Sequence, residues 1–499
     1  MDLNQLQLLV SRIPLHVRNR PLGYLVTLVA ALLARRTFKY LTAPSTYPNI
    51  VGPPRKSMIF GHLLDIFSPT NIKFHDALEE TYGSVCKVYG ILGRENLYVS
   101  DPRFLQEVLV KEEDIGFSHP PHFFDVNSAS FGPGLASCPP DMHKAQRKML
   151  NPAFTSQYMK ARFPQVPTFN AIAQSVGFEC VGVERFIHLR NLQMKLAITQ
   201  DIGGAQSKEL DMLRWCSATA LELAQAILTQ RKASLKDEKA AEELHDIMSI
   251  LLKANMEASE GDRLPEDQIL GQMNTLVFAG HETTSGALAR ILEVLSQNQS
   301  MQDRLRDELL EAPDNMTYDE LHSLEYLDAI CRETLRLFPP VSFLDREAME
   351  DRMVPLRYPI KGKDGKEIRE ILVRKGTSIY VALREANRSK ETWGEDASEF
   401  KPDRWLGRLP NSVSDARTPG VYSSMMTFSA GPRACIGFKF SILELKIVLL
   451  TLIKSFKFAP GTAQVEWLNH VTMSPYPLGT KNSVGEGKEP SMPLNVSVL

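Results

Sequence analysis

The chain has 499 residues, 43% of them hydrophobic, which is enough apolar material for a large core. Its 57 basic and 59 acidic residues nearly cancel, to a net charge of -2, so the electrostatic footprint of a nucleic-acid binder is missing. Six cysteines (Cys86, Cys138, Cys180, Cys216, Cys331 and Cys435) contain no Cys-x-x-Cys pair, which excludes a disulfide scaffold and the usual structural zinc spacing; they read as reduced thiols facing the cytosol.

In chain order, the first feature is PLGYLVTLVAALLARR, an uncharged, mostly apolar run over residues 21–34 followed by Arg35, Arg36 and Lys39. A full membrane span needs about 20 residues. The run predicts a membrane anchor over 1–40 that crosses the bilayer or lies in its interface, with a buried N-terminal helix as the alternative. Arg12, Arg18 and Arg20 stand before it, so charge does not fix its orientation. A proline-rich stretch around Gly52-Pro53-Pro54 predicts a hinge over 41–55. No later linker divides residues 56–499, which are expected to form one domain.

SVCKVYG and ENLYVS predict two strands about a turn at 90–94. EDIGFSHPPHFFDVNSASFGPGL reads as an apolar loop, and its Phe123, Phe124 and Phe131, with residues 341–344, are candidates for lining a hydrophobic pocket. From about 141 to 340 the pattern is helical. DQILGQMNTLVFAGHETTSGALARILEVLSQ, apolar through its middle, predicts a long, buried central helix. Beyond Pro340 short strands are expected, with tight turns at 361–365 and 375–376, then a last apolar helix over 437–456. The sum is a mainly α body with a small β part. FGPGLAS lacks the last glycine of a dinucleotide loop, and no Gly-x-Ser-x-Gly or Walker sequence occurs.

Chemistry concentrates in four places. In FSAGPRACIG, Cys435 lies two residues after Arg433 and just before a predicted helix, and both features favour a thiolate. Gly431 and Gly437 would let something large and flat approach, Phe428 would pack against it, and Pro432 would hold the loop. A thiolate on the metal of a haem answers that description, against a buried cysteine in a glycine-rich turn. In AGHETT, Gly280, Glu282 and Thr283 interrupt an apolar helix at an energetic cost. There the Thr283 hydroxyl can turn onto a carbonyl one turn earlier, opening a groove with Glu282 and Thr283 as a proton route. His-Glu-x-x-His fails, because Ser285 stands where the second histidine would be. Glu333 and Arg336 of ETLR are an i, i+3 helix pair that alone means little. Arg404 of FKPDRW can join them, since its planar fork holds a carboxylate bidentately.

Taken together and in this order, the four motifs resemble those of the cytochrome P450 family of haem-thiolate monooxygenases, most of all its membrane-anchored eukaryotic, fungal members. The resemblance covers the chain from about Gly52 to its C-terminus. It implies the family's mostly α fold, with a b-type haem (heme b) between the long helix and the cysteine loop. It implies Cys435 as axial iron ligand, Glu282 and Thr283 as the proton route, and Glu333, Arg336 and Arg404 as a structural cluster. Phe428 and Gly437 belong to the cofactor loop. Arg433, Arg147 of HKAQR and Arg346 would pair with haem propionates, and His143 takes a place often held by tryptophan. The implied partners are an NADPH-cytochrome P450 reductase, an apolar small molecule with O2, and the lipid of the endoplasmic reticulum membrane, the catalytic domain facing the cytosol. Secondary metabolism or xenobiotic oxidation is the expected setting. One departure stands out: where two helices normally roof the substrate pocket, only about twenty residues, rich in charge, intervene near 226–245, and VGFECVGVERFIHLRNLQMKL does not read as the expected helix; either the roof is reduced or the sequence derives from an altered gene model. A haem-thiolate isomerase or dehydratase and a catalytically impaired haem or ligand binder are the alternatives. The intact Glu282-Thr283 pair argues against the first, whereas the reduced roof makes the second possible.

Overall fold

The computed structural model describes residues 31, 35, 44–162, 221–222, 224–235, 247–478 and 490–499. Most of the expected anchor, the segment VGFECVGVERFIHLRNLQMKL at 176–196 and residues 236–246 lie outside these residues. Among the described residues no helix is long and apolar enough to cross a membrane.

Helices dominate, and five organise the rest: α1 (Ile72–Tyr82), α2 (Pro140–Leu150), α3 (Glu266–Gln297), α4 (Glu325–Leu337) and α5 (Phe438–Ser455). The expected central helix is α3, of 32 residues. Glu266 and Asp267 in its first turn complement the helix dipole. It ends where the Asn298 side chain turns back onto the Val294 carbonyl at 2.7 Å. Ile291 and Leu295 of α3, Leu327 and Ile330 of α4, and Leu445 and Leu449 of α5 form one buried cluster. Lys446 of α5, fully buried, reaches Asp328 of α4 at 2.7 Å.

The β part is a five-stranded sheet with four other strands paired nearby and one more hairpin. In chain order the strands are β1 (Val85–Tyr89), β2 (Glu95–Val99), β3 (Phe117–Ser118), β4 (Phe343–Ala348), β5 (Arg352–Lys361), β6 (Glu367–Val373), β7 (Ser378–Ala382), β8 (Phe456–Pro460), β9 (Val465–Asn469), β10 (Met473–Pro477) and β11 (Leu494–Val498). The sheet runs β1-β2-β7-β4-β3, and only the β2–β7 pair is parallel. The expected hairpin is β1–β2, and the expected strands after Pro340 are β4 to β7.

Two expectations change. Residues 44–55 do not stand clear of the body as a hinge: Tyr47 and Ile50 are buried in the core beneath the sheet, and the Lys87 N–H donates to the Val51 carbonyl at 2.8 Å. Proline there fixes an extended segment that docks along β1. The apolar stretch taken as a loop contains a helix, Pro121–Phe131, started by Pro121 at its first position, where proline's fixed φ suits a helix. Phe131 is buried against Phe278 of α3, while Phe123 and Phe124 are half-buried.

The segment FGPGLAS, which resists a motif reading, has a packing role. Gly134 and Gly271 face each other so closely that a Cβ on Gly271 would lie 2.6 Å from the Gly134 nitrogen. Around that contact Gln272 accepts from the Leu135 N–H at 3.0 Å and donates to Gln146 of α2 at 2.6 Å, and Gln146 donates to the Pro133 carbonyl at 2.9 Å. The satisfied amides fix α2 and α3 to one register. Gly271→Ala should therefore lower stability by about 1–3 kcal/mol, as overpacking against backbone does, measured as a lower denaturant midpoint than the parent's.

Candidate functional site

Cys435 sits at the end of a tightly folded loop that leads into α5. The Cys435 N–H donates to the Phe428 carbonyl at 2.9 Å, and the Ala434 N–H to the Gly431 carbonyl at 3.1 Å. Ser429 (φ 59°) and Gly431 (φ 70°) take left-handed backbone conformations. Gly431 answers a different need from the one its sequence suggests. A Cβ there would fall 1.8 Å from the Leu109 carbonyl oxygen, so the glycine lets the loop meet its own protein neighbour. Gly437 lies before the first turn of α5 and has only Phe154 near, at 3.7 Å from a built Cβ. Phe428 packs with Tyr422 and Phe438, at ring separations of 5.8 and 6.0 Å.

Cys435 is the exposed cysteine among the described ones; Cys86, Cys138 and Cys331 are buried. The surrounding protein pushes its thiol upward, and the Gly437 N–H and the Arg147 charge oppose that push. Arg433 is not the cation that acts on the sulfur, contrary to the sequence reading. Its Nε turns to Asp114, at 3.1 and 3.2 Å from the two oxygens, and lies 3.6 Å from Glu113. Arg147 instead reaches over from α2 and donates to the Ala434 carbonyl at 2.6 Å.

Two of the three expected arginines, Arg346 and Arg433, gather around one acidic pair, Glu113 and Asp114, and Arg147 stands apart from it. Arg346 Nε donates to both oxygens of Glu113 at 3.0 Å, and its Nη1 lies 3.2 Å from His119 Nδ1. Burial pushes Glu113 up, with Arg346 drawing it back. His143 is buried beside Arg433 and Arg147; burial first, then those cations, push it down to about 4. It is thus neutral at neutral pH and cannot serve as a charged partner for a carboxylate. His119, pushed down to about 3 by burial and Arg346, is likewise neutral and stacks on Phe123 at 3.8 Å. Glu113, Asp114 and His119 escaped the sequence reading, because no motif links EED or SHP to a cysteine some 320 residues later.

The acid–alcohol pair lies on α3. The Thr283 hydroxyl donates to the Ala279 carbonyl at 2.8 Å, as its place in an apolar helix suggests. Glu282 is buried, 3.8 Å from His281 Nδ1 and close enough to Tyr476 to push that phenol up to about 12, together with its burial.

Glu333 and Arg336 on α4 form a bidentate pair, with both bonds at 2.9 Å and both side chains fully buried. Glu333 also accepts from the Lys401 N–H and from Trp405 Nε1, each at 2.9 Å. Arg404 joins less tightly than expected, its Nε 3.5 Å from Glu333 while its outer nitrogens bond to Asp396. Burial raises Glu333, but the bonds from Arg336 outweigh it and hold the carboxyl below its ordinary range. Arg336 donates onward to the carbonyls of Asn387 (2.9 Å) and Ala397 (2.6 Å). The Asn387 side chain in turn accepts from the Met426 N–H at 2.6 Å and bonds Thr427 at 2.9 Å, directly before Phe428. The cluster is thereby wired to the cysteine loop through Asn387, a residue that carried no sequence signal.

The donor set fits a thiolate-bound haem. One exposed cysteine is held by a rigid loop, Arg147 and Arg433 stand close by, and among the described residues Arg433 Nη2 is buried with no hydrogen-bond acceptor. A sulfur ligand with guanidinium groups beside it suits an iron porphyrin with carboxylate arms. The fold and this site define a haem-thiolate oxidoreductase. The cytochrome P450 family model matches residues 51–177 and 206–481. Cytochrome P450 monooxygenase 212 of Postia placenta is 34% identical over 95% of this chain and 98% of its own, and cytochrome P450 monooxygenase 81 of the same fungus is 36% identical over 88% and 91%. Ganoderic acid synthetase CYP5150L8 of Ganoderma lucidum is 33% identical over 94% and 97%. The chain belongs to the cytochrome P450 family and is an oxygen-incorporating oxidoreductase. The first of these alignments spans 562 positions, more than the 499 residues of this chain, so the relative carries stretches missing here. Near the stretch expected to be short, residues 224–234 are helical, with Ala224 and Leu228 buried beside Leu251 and Leu252.

Two outcomes test the wiring. Glu333→Ala leaves Arg336 buried without its partner and should cost about 3–5 kcal/mol, seen as loss of soluble, cooperatively unfolding protein. Asn387→Ala removes only the link to Met426 and Thr427, so the chain should fold yet release haem faster to an acceptor protein. Glu333 also sets an acid limit. Because its folded pKa is depressed, its contribution is complete above the unfolded value of about 4.3 and is lost as pH falls through the folded one. In Glu333→Gln the loss of stability on acidification should be shallower, by urea titration at stepped pH.

Proposed function

We propose that this protein is a monooxygenase that inserts one atom of O2 into an apolar small molecule, with electrons from NADPH through a partner reductase. The observation that carries the reading is Cys435, an exposed residue at the end of its folded loop, with Arg147 reaching over the loop to it. The other oxygen atom leaves as water with two electrons and two protons. Bound to Cys435, the haem supplies the dioxygen chemistry, and thiolate donation to the iron favours O–O cleavage.

The chain's own residues hold and feed that site. Arg147 and Arg433 hold the propionates, whereas Arg346, turned to Glu113, positions Arg433 through the acidic pair. His143 contributes a neutral imidazole. Glu282, buried beside Tyr476 and His281, passes protons to the Thr283 hydroxyl, which the Ala279 carbonyl keeps oriented. Phe123 and Phe124 face an apolar substrate, whereas the expected lining at 341–344 is not available: Val341, Phe343 and Leu344 pack into the core and Ser342 bonds Asn469. The ganoderic acid synthetase among the relatives places ganoderic-acid-type molecules first in a substrate panel. The run at 21–34 and its basic flank support attachment to the endoplasmic reticulum membrane with the domain in the cytosol.

The test is reconstitution with a reductase, NADPH and that panel, scored by product mass. Cys435→Ala should abolish the thiolate-type spectrum of the reduced carbon monoxide complex; an unchanged spectrum overturns the ligand assignment. Acid–base groups contribute about 10²–10⁴-fold. Thr283→Ala should accordingly lower product formation by about 10²-fold while NADPH oxidation continues and hydrogen peroxide accumulates. Coupling equal to the parent's would remove Thr283 from the proton route.

A further inference from the structure

A cavity of about 190 Å3 lies farther along α3 from the acid–alcohol pair. Its wall includes Gly286 and Arg290 of α3, Phe338, Arg384, Arg388 and Trp467. Residues 283, 286 and 290 share one helical stripe, so Gly286 is one turn and Arg290 two turns beyond Thr283, about 10 Å along the axis.

The distribution of charge around it is one-sided. Three guanidinium groups line the wall, and no carboxylate does among the described residues. The compensating acids stand behind them. Glu293 takes Arg290 Nη1 and Trp467 Nε1, each at 2.8 Å, and Glu385 takes Arg384 at 3.0 Å and Tyr98 at 2.9 Å. Asp76 pairs with Arg384 and lies 3.8 Å from Arg388 Nη1, too far for a hydrogen bond. Arg388 spends Nε and Nη2 on the neutral Leu337 carbonyl. Arg290 Nε is buried with no acceptor among the described residues, although its plane is held 3.6 Å from the Trp467 ring. Burial, with Arg384 adding repulsion, pushes Arg290 down to about 10 and Arg388 to about 9, against the opposing pull of Glu293 on the first and of Asp76 and Glu385 on the second.

We propose that this cavity is an anion subsite that receives the carboxylate end of an otherwise apolar substrate, anchoring it two helical turns from Thr283. The inference rests on the monooxygenase reading and gives its substrate a class: a carboxylic acid oxidised at a carbon remote from the acid group. Arg290 Nε and Arg388 Nη1 supply the charge-assisted donors, and Trp467 and Phe338 flank them. A small inorganic anion shares that chemistry and is separated by the experiment.

The haem-loaded full-length protein is titrated with dodecanoate, its methyl ester and dodecyltrimethylammonium, following the haem spin-state shift and the fluorescence change lost in Trp467→Phe. The acid should bind at least about tenfold more tightly than the ester, since charged hydrogen bonds are involved, and the cation should bind weakest. Arg290→Gln, checked by an intact reduced carbon monoxide spectrum, should bring acid and ester to equal affinity, and Arg290→Lys should restore part of the preference. Should Arg290→Gln fail to fold, the three-ligand comparison on the parent decides. Equal binding of acid and ester by the parent overturns the proposal, as does an acid preference that survives Arg290→Gln. Chloride or acetate competing as effectively as dodecanoate overturns the substrate assignment and leaves a site for small anions. Acid-selective binding without NADPH-driven turnover of any substrate would overturn the monooxygenase reading and leave this subsite standing.

Discussion

The rest of the molecule depends on one buried ion pair. Glu333 and Arg336 have left water entirely, and each of their remaining polar atoms has to be met by something fixed. The partners that meet them are backbone groups from distant segments: Asn387, Ala397, Glu399 and Lys401, with the Trp405 indole. A pair of charges thus sets the path of the chain between β7 and the cysteine loop, where apolar packing alone would tolerate several paths. Asn387 transmits that choice, because its side chain holds Met426 and Thr427 while its own carbonyl is held by Arg336.

A second constraint comes from the close crossing of α3. At Gly271 the helix touches the backbone of the Gly134 turn, and at Gly286 a built Cβ would lie 3.0 Å from the Met473 carbonyl. The residues with chemistry, Glu282 and Thr283, lie between these fixed points. Their cost in an apolar helix is borne by a helix pinned on both sides of them, with the buried glutamines of α2 and α3 as the second set of ties.

Local pattern carried much of this into the sequence. The α3 pattern, the hairpin of β1 and β2, the cysteine loop and the Thr283 back-bond to Ala279 are all set within a few residues, and each is readable there. Contacts between distant segments were not. Arg147, expected only at a propionate, is the cation that acts on the sulfur, because Glu113 and Asp114, far away in the chain, draw Arg433 aside. The proline-rich stretch reads as a hinge for the same reason: it is locally extended, and only the contacts of Tyr47, Ile50 and Val51 with the core and with β1 show that the segment before the prolines is docked. Gly431 is a milder case, since the glycine was legible and its neighbour, the Leu109 carbonyl, was not.

The acidic pair also bears on the charge balance of the interior. Arg346 and Arg433 are cations in the interior, and without counter-charges they would oppose collapse of the chain around them. Glu113 and Asp114 provide those charges from within the polypeptide. A short acidic segment early in the chain thus neutralises two arginines contributed by much later ones, and distant parts of the polypeptide are held together by charge as well as by packing.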